Sequence, residues 1–352
     1  MSKKILVTGG TGFIGSHTIL ALLKKGYEVL AYDSLINSSL KSLERVKEIL
    51  KKDKPHEDIK LKFIKGDMRD TNLLQNIFEK SRKMDKEISA VIHFAGLKSV
   101  TNSIINPIDY WDVNVNGTIN LVKVMNTFKC SNFVFSSSAM VYGYSTGEPL
   151  KEDFNIDPIN PYGMTKAVNE KFLKNLFSDL SQEWSICNLR YFNPIGAHES
   201  GKIGEFPLGV SKNIFPLINQ VGLKIEKKLK VFGCDWGTID GTCVRDYINI
   251  MDLSEGHILA LEYITKKKPI YLNLNLGTGK GVSVLNLINA FEEANNVRIP
   301  YDFSDRREGD IPVLVADNSK AKKILNWHPK RNLLDSCRNG WKWFKNNPRG
   351  YY

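Results

Sequence analysis

The chain has 352 residues, 42% of them hydrophobic, which is enough for one large domain or two smaller ones around a sizeable core, and no apolar run approaches the roughly 18 residues of a membrane span. The formal net charge of +11 gathers at "KKDK" (51–54) and "KKK" (266–268) with no nucleic-acid motif around it, so a solvated basic surface or attraction of small anions is expected and no nucleic-acid partner. Five cysteines (Cys130, Cys187, Cys234, Cys243, Cys337), odd in number, scattered and without C-x-x-C, read as free thiols of a reducing compartment; a cytoplasmic protein without disulfides or a metal centre is expected.

The basic start Met1-Ser-Lys-Lys meets glycines after only four apolar residues, too soon for a secretion signal. Those four residues, "ILVT" (5–8), open a series of buried strands: "EVLAYD" (28–33), "KFIKGD" (62–67), "AVIHFAG" (90–96), "FVFSSS" (133–138) and "ICNLRYFN" (186–193). Helical patterns lie between them near 13–25, 41–52, 71–84, 107–128 and 161–179. Six strands alternating with helices predict an α/β fold, a doubly wound parallel sheet of Rossmann type, with ligands beyond the carboxyl ends of the strands. Past Asn193 the pattern loosens. "NPIGAHESGKIGEFPLGVSKN" reads as a long ordered loop, followed by "LKVFG" (229–233), a mixed segment at 247–264, "IYLNLNLG" (270–277) and a helix near 283–295. We expect residues 1–193 to form a dinucleotide-binding domain. Residues 194–352 then make a smaller mixed α/β region that closes over it, with some segments returning to the sheet.

"LVTGGTGFIGSH" sets Gly9, Gly12 and Gly15 in a turn between the first strand and the first helix. A side chain there would keep the backbone from a pyrophosphate, which the helix N-terminus attracts. Asp33, 18 residues after Gly15, ends the next strand where a carboxylate can bond both hydroxyls of an adenosine ribose. That charge repels a 2′-phosphate and no arginine follows in "SLI", so NAD is expected over NADP. Asp67 in "GDM" can bond an adenine amino group or be a plain solvated strand end. "FAGLK" (94–98) lets a cofactor lie close and puts Lys98 near its phosphates.

Tyr162 and Lys166 in "NPYGMTK" share one helix face. A phenol of pKa about 10 is a poor base at neutral pH. A neighbouring ammonium and a positive nicotinamide are expected to lower that pKa. Tyr263 and Lys267 repeat the spacing in a lysine run before a proline, where a solvated helix end is expected. What separates the first pair is its place after the fifth strand, whose Ser138 can bond the same substrate hydroxyl.

With "VTGGTGFIGSH", "IHFAGLKSV", "FSSSAMVYG", "NPYGMTK", "LRYFNPIGAH", "GTCVRDYI", "NLGTGKGVSV" and "RREGDIP" in order from Lys4 to about Trp343, the chain resembles the UDP-glucose 4-epimerases of the extended short-chain dehydrogenase/reductase family. The resemblance implies a tightly held NAD, reduced and reoxidised in each turnover. Tyr162 would take the proton of the sugar's 4-hydroxyl, Ser138 would assist, and Lys166 would tune the phenol and hold the nicotinamide ribose. The 4-keto sugar would rotate and regain hydride on its other face. By the same resemblance the cofactor is held by Gly9, Gly12, Phe13, Ile14, Gly15, Asp33, Asn37, Asp67, Met68, Phe94, Ala95, Gly96, Lys98, Asn114, Ser136, Tyr162, Lys166 and Tyr191. The UDP-sugar would meet Lys98, Ser138, Tyr162, Asn193, Asn213, Phe232, Arg245, Arg307, Asp310 and Leu314. Arg245 and Arg307 look like diphosphate clamps and Asp310 like the uridine-ribose contact. A homodimer built from the helices near 107–128 and 161–179 is also implied.

Three positions depart from the family pattern. Met140 stands where a threonine is common, Asn249 where histidine is common, and Leu314 where a tyrosine would exclude an N-acetyl group. The leucine implies some activity on UDP-N-acetylglucosamine. Ala139 and Met140 supply no acid or base where sister dehydratases and decarboxylases carry acidic residues. A UDP-glucuronate or UDP-N-acetylglucosamine 4-epimerase of the same family stays open, as does a binding protein that senses NAD or UDP-sugar.

Overall fold

A computed structural model of the chain describes all residues except 1–2, 54, 57, 145–148, 180–182, 207–212 and 308. Lys54 of the first lysine cluster, 207–212 of the expected long loop and Glu308 of "RREGD" lie outside the described residues.

The apolar pattern of the first half folds as β1 (Lys4–Thr8), α1 (Phe13–Lys24), β2 (Glu28–Asp33), α2 (Lys41–Asp53), β3 (Leu61–Lys65), α3 (Thr71–Lys83) and β4 (Ile88–His93). Next come α4 (Val100–Ile105), α5 (Pro107–Tyr110), a π-helical stretch (Trp111–Asn116), α6 (Gly117–Thr127), β5 (Asn132–Ser138), α7 (Pro161–Phe177) and β6 (Ser185–Tyr191). The remainder holds β7 (Asn193–Ile195), α8 (Ile214–Gly222), β8 (Leu229–Phe232), β9 (Val244–Arg245), β10 (Tyr247–Asn249), α9 (Ile250–Lys266) and β11 (Ile270–Leu276). It ends with β12 (Val282–Ser283), α10 (Val284–Asn295), β13 (Tyr301–Ser304), β14 (Val313–Leu314), α11 (Ser319–Leu325) and α12 (Leu333–Asn346).

Seven parallel strands make the main sheet in the order β11-β6-β5-β4-β1-β2-β3. Strands β1, β2, β5 and β6 are buried along their whole length, as a parallel sheet covered on both faces requires. Alternation splits them: Ile5 and Val7 face a core with Ile19, Leu20 and Leu261, while Leu6 faces the opposite core with Leu74, Leu121 and Leu173. Strand order reverses at β1 and β4, so the crevice for a ligand opens beyond Thr8 and His93.

The chain leaves this sheet after β6 and returns to it with α9 and β11. Between and after these elements it builds three small sheets, β10-β7, β12-β9-β14 and β13-β8. Helices α8, α10 and α12 pack on them around Phe215, Ile218, Leu287, Phe291 and Cys337. The doubly wound sheet is as the sequence predicts, with three local differences. Strands β3 and β4 stop at Lys65 and His93, one residue before a further bond to the neighbouring strand, from Gly66 N to Asp33 O and from Phe94 N to Thr8 O (both 3.0 Å). The helix expected over 107–128 runs without interruption over 107–127 but widens to a π-helical stretch at 111–116, a feature found at functional sites. Helices α4, α8, α11 and α12 have no counterpart in the sequence reading.

Candidate active site

The glycine turn is built for close approach. A Cβ on Gly15 would sit 2.2 Å from the Gly9 carbonyl oxygen, and Gly9 itself has φ +66°, where its own Cβ would fall 2.7 Å from the Ala95 nitrogen. The loops after β1 and β4 therefore touch at the switch point. No side chain caps α1 and no acid lies in its first turn, at Phe13 and Ile14, which suits a phosphate at its positive end. Asp33 is buried at the end of β2, where its carboxylate accepts from Thr11 N (3.1 Å), Leu35 N (2.9 Å) and Ser38 Oγ (3.0 Å). Asn37 is exposed in the following loop. Asp67 is occupied by Arg69 at 2.8 Å, whose guanidinium holds the carboxylate below its ordinary range. Met68 is buried against Gly117, and Phe94 lies on His257 with ring centroids 4.8 Å apart. These features fit a dinucleotide: a turn so tight that a single methyl group would clash with its own backbone, an uncapped helix N-terminus beside it, and an acid fixed at the ribose position.

Tyr162 and Lys166 lie on the first turns of α7, started by Asn160, whose side chain accepts from Gly163 N at 2.8 Å, and by Pro161. Lys166 Nζ donates to the Ser136 carbonyl oxygen at 2.8 Å and lies 5.9 Å from the Tyr162 ring centroid. The hydroxyls of Ser136 and Tyr191 are bonded to each other. Ser138 bonds the Tyr162 side chain and accepts from Met140 N at 3.2 Å. Burial pushes the Tyr162 phenol up to about 12, against the Ser138 bond that pulls it down. Burial also lowers Lys166 to about 8, against Glu170, which raises it. The expected lowering of the phenol is therefore not achieved by the protein alone: desolvation outweighs the neighbours present.

Asn114, on the π-helical stretch, accepts from Leu97 N at 2.7 Å and donates to Leu97 O at 3.0 Å and Thr165 Oγ1 at 3.1 Å. A Cβ on Gly96 would come 2.9 Å from its Oδ1. Asn114 thus ties the loop after β4 to α7.

The other expected residues gather in a second group. Arg307 donates to Asp310 at 2.8 Å and its guanidinium lies 5.6 Å from the Phe232 ring centroid; Arg245 approaches the same carboxylate at 3.9 Å. Leu314 pairs in register with Arg245 and packs in a cluster with Ala139, Met140 and Val141, joining this group to the Ser138 end. Asn193 begins β7, its N–H on Asp246 O at 2.9 Å. Lys98 Nζ and Asn213 Nδ2 both donate to Glu205 Oε1, each at 3.1 Å.

The sequence reading missed three residues here. Glu205 carried no recognised motif. Asp246, buried, accepts from Thr278 N and Oγ1 (both 2.7 Å), Gly279 N (2.9 Å) and Ala316 N (3.3 Å), holding three segments around Arg245. Glu170 forms a buried pair with Arg190 at 2.6 Å, one turn beyond Lys166, and its i+4 spacing was the available signal. Asn249, without an assigned effect in the sequence, caps α9 by accepting from Met251 N at 2.8 Å. Lys267, of the second Tyr-x-x-x-Lys, is exposed at the end of α9. Among the described residues no cluster suits a metal ion, and no helix is long and apolar enough to cross a membrane.

Residues 6–339 match the family described as GDP-mannose 4,6 dehydratase. A UDP-glucose 4-epimerase of Bacillus subtilis (strain 168) is 46% identical over 347 residues, 99% of this chain and 98% of the relative. The crystal structure of a UDP-glucose 4-epimerase from Stenotrophomonas maltophila, with bound NAD and formylated UDP-arabinopyranose, superposes with a TM-score of 0.92 at 41% identity, covering 99% of both chains. The enzyme from Bifidobacterium longum in complex with NAD+ and UDP gives 0.91 at 42% identity, covering 99% of this chain and 100% of that one. The chain belongs to the UDP-glucose 4-epimerases of the extended short-chain dehydrogenase/reductase family.

Proposed function

We propose that the protein interconverts the C4 epimers of a UDP-hexose, UDP-glucose and UDP-galactose, with NAD held at the glycine turn. The observation that carries this reading is the convergence of Tyr162, Ser138 and Lys166 where β5 and α7 meet the cofactor cradle. When bound, NAD supplies the acceptor and donor of hydride at the sugar carbon. Tyr162 takes the proton of the 4-hydroxyl and returns it on the other face, and Ser138 holds that oxygen. Lys166 stabilises the phenolate and bonds the nicotinamide ribose, while Tyr191 and Ser136 support the ring beside it. Arg245 and Arg307 hold the diphosphate, Asp310 the uridine ribose, Phe232 the uracil side, and Lys98, Asn193 and Asn213 the sugar and its phosphates. We assign residues 1–193 mainly to the cofactor and 194–352 mainly to the sugar nucleotide, with α9 and β11 completing the sheet. Purified protein should convert UDP-galactose to UDP-glucose in a coupled assay without added NAD. UDP-sugar binding with no turnover, even with NAD supplied, would sink the reading.

Although the matching family is described as a dehydratase, Ala139 and Met140 offer no acid or base beside Ser138, which supports epimerisation over loss of water. Leu314 favours activity on N-acetylhexosamines as well. Its side chain packs with Met140 in the apolar cluster, and neither offers a hydroxyl to the sugar. A tyrosine at 314 would project a larger group from the same strand. Leu314→Tyr should reduce turnover of UDP-N-acetylglucosamine relative to UDP-glucose by about tenfold or more. Equal activity ratios in the two proteins would end the idea.

A homodimer is supported by an apolar patch on α4 and α5, which pack on α7: Ile105 is 66% and Ile108 81% exposed, and Trp111 and Met164 add to it. Ile108→Glu should turn a dimer, weighed by light scattering, into a monomer; an unchanged mass would move the interface elsewhere. Five free thiols, four of them buried, support a reducing, cytoplasmic setting.

A further inference from the structure

Glu205 is a carboxylate with 5% of its side chain exposed, and a charge so placed must be paired. Its Oε1 accepts from Lys98 Nζ and from Asn213 Nδ2, both at 3.1 Å. The two partners come from distant parts of the chain. Lys98 follows β4 on the cofactor side, and Asn213 occupies the N-cap of α8 on the sugar-nucleotide side.

Asparagine at an N-cap ordinarily spends its side chain on the helix's own N–H groups. Asn213 makes no such bond, because Pro216 at the third helical position has no N–H to give, and its Nδ2 donates to Glu205. Lys98 is half exposed and could extend into solvent, yet its ammonium is held at the same oxygen. The Glu205 backbone needs none of this: its carbonyl accepts from Trp343 Nε1 at 2.9 Å, and the carbonyl of Gly204 accepts from Tyr351 OH at 3.1 Å. Two side chains from distant parts of the chain thus converge on one carboxylate oxygen whose main chain is anchored separately by α12 and the C-terminal residues.

We propose that Glu205 is a positioning residue for sugar-nucleotide binding, presenting the Lys98 ammonium and the Asn213 amide together to the UDP-sugar. The inference rests on the proposed UDP-sugar site. Because Lys98 and Asn213 would contact the ligand equally in ground and transition states, losing their alignment weakens binding and spares chemistry.

Glu205→Gln keeps the shape and an acceptor for Asn213 but removes the charge that holds Lys98. Its KM for UDP-galactose should rise about tenfold with kcat within about threefold of wild type. A matching loss of affinity for UDP should be read by calorimetry. In a Lys98→Met background the same change should add less than about twofold, because the path through Lys98 is already gone. The proposal is overturned if KM and UDP affinity stay at wild-type values. It is equally overturned if kcat and melting temperature fall while KM holds, or if the two substitutions multiply independently. Failure of the wild type to turn over UDP-galactose would count against the proposed reaction alone, since the calorimetric comparison of UDP binding needs no turnover.

Discussion

Tyr162→Phe should lose at least about a thousandfold in kcat while keeping its fold and its bound NAD. The substitution removes one oxygen. The ring stays on the second position of α7, below the cap set by Asn160 and Pro161, so helix and loop keep their bonds. What disappears is the hydroxyl that bonds Ser138 and stands as the only phenol of α7's first turn. Ser138 is no substitute, because an unassisted hydroxyl is a far weaker base than a phenolate. Lys166 is no substitute either, since its Nζ is committed to the Ser136 carbonyl oxygen at 2.8 Å. General acid–base groups contribute roughly 10²–10⁴ in rate, and in the proposed reaction one group both takes and returns the proton, so the upper part of that range is expected. The measurement is single-turnover and steady-state rate at saturating UDP-galactose, with the NAD content read by absorbance after denaturation. A variant that retains NAD and more than a tenth of the activity would remove Tyr162 from the proton transfer.

The parts of this site legible in the sequence are those where chemistry is local. Gly15 is needed because its neighbour in space, the Gly9 carbonyl, is also six residues away in the chain. Tyr162 and Lys166 meet through one helical turn, and Asp33 ends the strand that follows the glycine turn. Even so, spacing alone does not separate Tyr162-Lys166 from Tyr263-Lys267; the strand preceding the first pair does. The illegible parts are joined by tertiary folding. Glu205 meets Lys98 across 107 residues, and Asp246 meets Ala316 across 70. No periodicity predicts such pairs. The widening of the helix at 111–116 was hidden for a similar reason. Its residues, WDVNVN, are weak helix formers, but weak propensity does not specify a π turn; it is the bonds of Asn114 to Leu97 that hold the wide turn. The sign of the Tyr162 shift was missed because motifs show charged neighbours and do not show desolvation.

Lys166→Met should lower kcat at pH 7 by about a hundredfold and move the alkaline-rising limb of the pH–rate profile upward by about two units. In the protein alone the phenol stands at about 12 and the lysine at about 8. As pH rises the lysine therefore loses its proton first, and a neutral amine does nothing for a phenolate. Below about 8 the ammonium is charged, and only there can it help. A unit charge at about 6 Å in an effective dielectric of about 20 is worth about 3 kcal/mol, or about two pKa units. Nζ lies 5.9 Å from the Tyr162 ring centroid, which sets the scale of that separation. The positive nicotinamide would supply a second shift in the same direction, drawing the phenol down from about 12 toward the working pH. The two groups then titrate as a pair, and the limb reports the pair. Glu170 has a part in this arrangement, since its charge one turn along α7 opposes the loss of the lysine's proton. With methionine at 166 only the cofactor's charge remains, so the limb should lie about two units above that of the wild type and much of the lost rate should return there. If the variant loses activity by the same factor at pH 7 and at pH 10, Lys166 acts by holding the ribose and not by charge, and the electrostatic account of the tyrosine fails.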